Sequence, residues 1–336
     1  MVSKLRLLFD RFTLILIAVV VAATLLPAHG RGAVFFEWLT AAAIALLFFL
    51  HGAKLSRDAI IAGATHWRLH GVIFAWTFII FPILGWLSRP VLVPLLGEPL
   101  YVGMLYLCVL PGTVQSAIAF TSIARGNVPA AVCAASASSI VGIVITPLLL
   151  QLLLQTDTSA LDSSSLLSSI LRIGQQIFLP FVAGHLMRPV IGRWMDRHRK
   201  LVTSVDQSSI LLVVYTAFSE SVVAGLWHQV APQSLVLLVI CCVVLLAVVL
   251  VLNTWSTRKL GFKRADEVTI VFCGSKKSMA TGVPMAGVLF SASAIGPVLL
   301  PLMIFHQIQL MVCAVLAQNY QRQDDDQVRH RRRAPA

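Results

Sequence analysis

Charge is scarce in this chain. Only 12% of its 336 residues are Asp, Glu, Lys or Arg, and 58% are apolar; an ordinary water-soluble domain carries roughly 25% charged residues. A chain of this length folding in water would need more polar surface than these residues supply, so composition alone excludes the soluble class. Acidic residues are the scarcer sign, 14 against 26 Lys and Arg, leaving a net charge of +12. A nucleic-acid partner would require a water-exposed basic face. Here the Lys and Arg lie in short gaps between apolar runs, and no such face exists. The six cysteines have neither CxxC nor zinc-type spacing, and read as small hydrophobes. There is no HExxH, no paired Asp and no Ser-His constellation at membrane depth, so the sequence points to no enzyme and no cofactor. No filter sequence or ring of charges suggests a channel.

What the chain has in quantity is apolar length. A membrane-crossing helix needs about 20 mostly apolar residues. Ten such segments run roughly over 12–29, 33–52, 68–88, 100–124, 127–153, 166–187, 207–228, 233–255, 267–290 and 294–318. The first follows Lys4, Arg6 and Arg11 but exceeds a signal-peptide core, and reads as a retained helix. Pro90 to Pro99 reads as a Pro-rich connector, and Thr156–Ser165 as a polar linker near the midpoint. The fold class expected is therefore an all-α polytopic membrane protein.

Basic residues orient it. With a cytoplasmic N-terminus, 21 of the 26 Lys and Arg fall on the cytoplasmic side and only Arg31, Arg89 and Arg172 on the other. The remaining two, Lys276 and Lys277, fall inside a membrane segment. This asymmetry predicts a multi-pass inner-membrane protein with both termini cytoplasmic. The linker divides ten helices into five plus five, and an odd-numbered unit repeated once must be inverted. The expected organisation is a first five-helix repeat over 1–155, a linker over 156–165, a second repeat over 166–320 and a disordered basic tail over 321–336.

Matching helices of the two halves share an internal detail. The fourth contains Gly112-Thr113-Val114-Gln115-Ser116 and the ninth Gly274-Ser275-Lys276-Lys277-Ser278. Both read Gly-[Ser/Thr]-x-x-Ser and interrupt an apolar run, with Pro111 just before the first. Short polar interruptions at corresponding places in two halves mark a transport site.

Around these residues the chain resembles the bile acid:sodium symporter family, in its bacterial sodium-symporter-like branch within the cation:proton antiporter grouping. The resemblance runs from about the second helix to Asn319. Its firmest stretches are Leu110-Pro111-Gly112-Thr113-Val114-Gln115-Ser116, then Ala124-Arg125-Gly126-Asn127-Val128, then Phe272-Cys273-Gly274-Ser275-Lys276-Lys277-Ser278. It implies ten helices in inverted five-helix repeats, a panel domain and a core domain, and discontinuous fourth and ninth helices that cross. It implies a symporter-like carrier of small organic anions, with two Na⁺ ions bound behind the crossover in sodium-coupled members.

The departures fall on the ion ligands. Phe272 stands where sodium-coupled relatives carry a Glu, and Lys276 and Lys277 where they carry amides. Thr77, five residues before Pro82, stands where they carry a Gln. Na⁺, if bound, would lie near Thr113, Ser116, Ser136 and Ser139; the coupling ion is Na⁺ by resemblance, and H⁺ or none by these residues.

An ionised Lys deep in a bilayer costs at least about 2.5–3.5 kcal/mol, so the pair needs a reason. The ammonium groups could be fixed cations donating to carbonyls and to hydroxyls such as Thr113, Ser116, Ser136 or Ser139. One could exchange a proton each cycle, or the pair could draw an anion into the crossover. Alternatively they snorkel to a surface. Glu220 is the candidate counter-charge, while Glu37 reads as interfacial. Gln175, Gln176, His306, Gln307 and Gln309 are further candidates to line a cavity. The ion and substrate site expected is thus Thr77, Thr113, Gln115, Ser116, Ser136, Ser139, Glu220, Ser275, Lys276, Lys277 and Ser278. The partners expected are the lipid bilayer and a small organic anion. A rival reading is a regulatory or scaffold protein that keeps the fold without transport.

Overall fold

The computed structural model describes residues 11–54, 66–154, 179–223, 225 and 232–333. Every regular element among them is helical. Apolar side chains cover both the interior and much of the outside. Phe35, Trp38, Leu152, Val236 and Val251 are largely exposed on their helices, as lipid-facing positions require.

The helices, in chain order, are α1 Arg11–Leu25, α2 Arg31–Lys54, α3 Trp67–Leu87, α4 Arg89–Leu96, α5 Glu98–Val109, α6 Gln115–Ile123, α7 Val128–Leu154, α8 Leu179–Arg197, α9 Arg199–Val223, α10 Pro232–Lys259, α11 Arg264–Gly274, α12 Met279–Leu289 and α13 Ala292–Arg333. Among the described residues, six stretches are long and apolar enough to cross a bilayer: Arg31–Ala53, Trp67–Leu87, Val128–Leu154, Arg199–Val223, Gln233–Lys259 and Ala294–Gln323. The protein is a multi-pass membrane protein.

Two regions depart from the sequence reading. The expected connector from Pro90 to Pro99 is mostly helix: α4 opens with Pro in its first turn, where a missing N–H is harmless, and stops at Gly97, whose φ of +80° suits glycine. The tail expected to be disordered from Gln321 on is instead helical through Arg333. Its first turn is pinned: the Arg264 guanidinium donates to Gln323 Oε1 at 2.6 Å and lies 4.3 Å over the Tyr320 ring. The expected linker over 156–165, and Gln175 and Gln176, lie outside the described residues.

Helices α1, α2, α8 and α9 pack together. Between α2 and α8 the backbones nearly touch: a Cβ at Gly52 would collide with the Phe181 carbonyl, and one at Gly184 with that of Phe49. Small residues permit this approach in lipid, where association depends on close packing rather than on the hydrophobic effect. A second group joins α3, α5, α6, α7, α10, α11 and α13, and encloses the breaks that follow α5 and α11.

Candidate functional site

Both segments that carry the paired motifs are broken, at the places those motifs predict. Helix α5 ends at Val109 and α6 begins at Gln115; α11 ends at Gly274 and α12 begins at Met279. The breaks touch. The Ser278 amide donates to the Pro111 carbonyl at 2.9 Å, and a Cβ on Gly112 would lie 3.1 Å from the Cys273 carbonyl.

Breaking a helix inside a membrane orphans backbone groups, and each needs a partner. At the end of α5 the first missing donor is Pro111, which has no N–H. The next, Gly112 N–H, turns to Ser138 Oγ at 3.0 Å. The Val109 carbonyl is taken by the Thr146 hydroxyl at 2.8 Å. The carbonyls of Cys108 and Leu110 remain, and the Lys277 ammonium donates to both, at 2.8 and 2.7 Å.

Its third proton goes to the Thr77 carbonyl at 2.8 Å. That carbonyl is free for a local reason. Trp76–Ile80 forms a π-helical turn, so the Phe81 N–H bonds to Trp76 rather than to Thr77. The next donor in π register would be Pro82, which has none. Three N–H donors thus meet three carbonyls, with the ammonium also 4.2 Å above the Phe81 ring. It sits at the C-terminus of α5, the end of a helix dipole that favours a cation.

Lys276 is held differently. Its ammonium donates to the Ser116 carbonyl at 2.9 Å and lies 3.9 Å from the centre of the Phe120 ring and 5.3 Å from that of Phe272. Both lysines are 0% exposed, so neither snorkels to a surface. Among the described residues, no carboxylate is within ion-pair distance of either ammonium.

Gln309 on α13 clamps the Lys277 peptide: its Oε1 accepts from the Lys277 N–H at 3.0 Å and its Nε2 donates to the Lys277 carbonyl at 2.9 Å. Ser278 caps α12, its Oγ accepting from the Thr281 amide at 3.2 Å. Ser275 Oγ folds back onto the Val271 carbonyl, and Thr113 bonds Ser116, hydroxyl to hydroxyl, at 2.8 Å. Ser139 Oγ is buried without a hydrogen-bond partner. Ser136 is half-buried and Gln115 exposed.

Glu220 stands elsewhere, so it is not the counter-charge of the lysines. It shares with Glu37 a cavity of about 380 Å³ lined also by Thr40, Thr216, Gly287 and Ile295. Glu37, expected at the interface, shares that cavity.

Four participants were weak or absent in the sequence reading, one being Ser138, which accepts from the Gly112 amide and was passed over for Ser136 and Ser139. Gln309 was one of several polar candidates, and nothing set it apart. Thr146 reads as one more residue of an apolar helix. Asn253 on α10, 0% exposed, donates to the Ile270 carbonyl at 3.4 Å and stands where a Cβ on Gly274 would meet it. A buried Asn in an otherwise apolar segment is the signal that would have found it.

A profile of the SBF-like CPA transporter family matches residues 10–322. The chain belongs to that family. It is 59% identical to an uncharacterised Pseudomonas aeruginosa protein, PA2026, over 324 residues, 96% of each chain. It is 58% identical to YfeH of Escherichia coli, whose name provisionally calls it a symporter, over 325 residues and again 96% of each. It is 30% identical to the sodium/bile acid cotransporter 7-B of Xenopus laevis over 317 residues, 93% of this chain and 91% of that one. The chain is therefore a membrane transporter and not an enzyme.

Proposed function

We propose that the protein is a secondary transporter for a small organic anion, working by alternating access, in which the Lys276 and Lys277 ammonium groups serve as built-in cations in place of cotransported Na⁺. The observation that carries this is the Lys277 ammonium with all three donors on carbonyls, two from the end of α5 and one from the π turn of α3. An ion bound there would leave and return each cycle; a tethered ammonium cannot. Thr113, Ser116, Ser136 and Ser139, the hydroxyls where Na⁺ would lie, then serve the packing around the breaks. The organic-anion class follows the relatives named as sodium/bile acid cotransporters.

The same reading has ten spans in two inverted five-helix repeats, 1–155 and 166–320, in an inner membrane with both termini cytoplasmic. Two broken segments that touch support it. So does the packing of α1, α2, α8 and α9 as one group, a panel against which the group holding the breaks would rock.

One observation favours H⁺ as the driving ion. Glu37 and Glu220 line one cavity, and two carboxyl groups sharing a site hold a proton between them more readily than two charges. Their cavity lies between α2 and α9 on one side and α12 and α13 on the other.

The test is uptake of radiolabelled taurocholate and of a panel of small carboxylates into proteoliposomes. Na⁺ is replaced by choline, and the pH gradient is set separately. Equal uptake in choline is expected, with stimulation by an inward proton gradient. Uptake that needs Na⁺ would refute the built-in cations. No uptake of any substrate, in vesicles shown to hold folded protein, would favour the regulatory or scaffold reading.

A further inference from the structure

We propose that His306 is a pH-reading positioning residue for the lysine break: neutral His306 holds Gln309 in place, and Gln309 holds the Lys277 peptide. The three groups form an unbroken chain, His306 Nδ1 to Gln309 Nε2 at 2.9 Å, then Gln309 to the Lys277 carbonyl at 2.9 Å and amide at 3.0 Å.

The protonation state follows from donor counting. An amide side chain can usually be drawn either way round, but here the backbone decides. The Lys277 N–H can only donate, so it faces Gln309 Oε1; the Lys277 carbonyl can only accept, so it faces Nε2. One Nε2 proton is thereby committed to the carbonyl, and the other points at His306 Nδ1. That nitrogen must accept, so it carries no proton, and the ring is the neutral tautomer protonated on Nε2. Gln309 is 0% exposed, which leaves water no role in the clamp.

Protonation of His306 puts an N–H opposite an N–H. The ring must turn away, which strips the buttress from Gln309 and leaves a buried donor unmatched. Otherwise the amide must flip, which sets it against both backbone groups of Lys277. Either way the loop that carries the two lysines loosens.

The network also holds a charge, the Lys277 ammonium, which opposes a second cation. Among the described residues, further titratable groups facing α13 come from its packed neighbours. Cys242 of α10 meets it at the Pro301 carbonyl, about 7.5 Å along the helix from His306. Tyr106 and Cys108 lie on α5, and Cys108 presents its carbonyl to Lys277. Glu220 of α9 shares a cavity with Ile295, about 16 Å along, and Glu267 and Arg264 of α11 meet Tyr320, about 21 Å along.

The test needs no transported substrate, so its failure is separable from failure of the transport reading. Hydrogen–deuterium exchange of the 274–279 segment is followed in full-length protein in phosphatidylethanolamine/phosphatidylglycerol nanodiscs, corrected for intrinsic exchange rate. In the wild type, protection is expected to fall at least about tenfold between about pH 8 and about pH 5, across the ordinary histidine range. In His306→Asn, which keeps an acceptor that does not titrate, protection should stay flat. A flat wild-type profile, or the same fall in His306→Asn, overturns the proposal. If that variant does not fold, ring ¹⁵N shifts in the wild type decide. Phe305–His306 is the one Phe-His pair in the sequence and can be labelled selectively. An unprotonated Nδ1 at high pH that gains a proton on acidification supports the proposal; a protonated Nδ1 at high pH refutes it.

Discussion

The Lys277 ammonium and the Leu110 carbonyl, 2.7 Å apart, join the break in one half of the chain to the break in the other. The residues are 167 positions apart in sequence, and a single buried cation carried by one break satisfies carbonyls left unpaired at the other and at the π turn of α3. Lys277→Met keeps the length of the side chain and removes every donor. Three buried carbonyls then lose their partners, each worth about 1–3 kcal/mol. Relaxation of the π turn of α3 recovers part, so the expected loss is about 3–5 kcal/mol. The unfolding midpoint of the purified protein in detergent should drop clearly below that of the wild type. An unchanged midpoint would show that the ammonium is not what satisfies these carbonyls.

Gln309→Leu tests the clamp from the other side. The volume changes little, but the Lys277 N–H and carbonyl both lose their buried partner, for about 2–4 kcal/mol. Because the loop rather than a helix is freed, trypsin should cut after Lys276 or Lys277 in the variant sooner than in the wild type. Equal cleavage rates would argue that the loop is held by its lysine side chains alone.

How far the sequence foretold this arrangement depends on the kind of signal. The helices follow from apolar length, and the breaks from Gly112, Gly274 and Pro111, because these residues act on the backbone beside them. The lysines stood out since charge at membrane depth is costly. Their partners are main-chain oxygens of Thr77, Cys108, Leu110 and Ser116, and a carbonyl looks the same whatever residue carries it. No side-chain pattern could mark Cys108 or Leu110. Thr77 was singled out for a missing amide side chain, yet it acts through its backbone. Glu220 was misassigned for a related reason: opposite charges were expected to pair, whereas carbonyls and aromatic faces already satisfy the ammonium groups.

Gly52→Leu tests the closest helix contact. A side chain there meets the Phe181 carbonyl, and backbone cannot step aside as a flexible side chain can. Helices α2 and α8 must separate, which removes packing that nothing else in lipid replaces. The expected result is loss of the monodisperse peak in size-exclusion chromatography, with Gly184→Leu behaving alike. A normal peak for either would mean that the two helices can shift apart at little cost.

The last prediction concerns Lys276, whose ammonium has one carbonyl and two rings where Lys277 has three carbonyls and one. If the ring faces matter, Phe120 and Lys276 should be coupled beyond the sum of their packing. Phe120→Leu, Lys276→Met and the double variant form a cycle that isolates the pair. For a desolvated cation over a ring 3.9 Å away, the coupling should be about 1–2 kcal/mol. The control is Phe120→Leu with Lys277→Met, where the ring in contact is Phe81 and the coupling should be within about 0.5 kcal/mol of zero. Phe272→Leu with Lys276→Met should show a smaller coupling than the Phe120 cycle, since its ring is farther, at 5.3 Å. Additive losses in the Phe120 cycle would leave only the Ser116 carbonyl and the more distant Phe272 ring beside a fully buried charge. That would argue against the charged form of Lys276 in this structure.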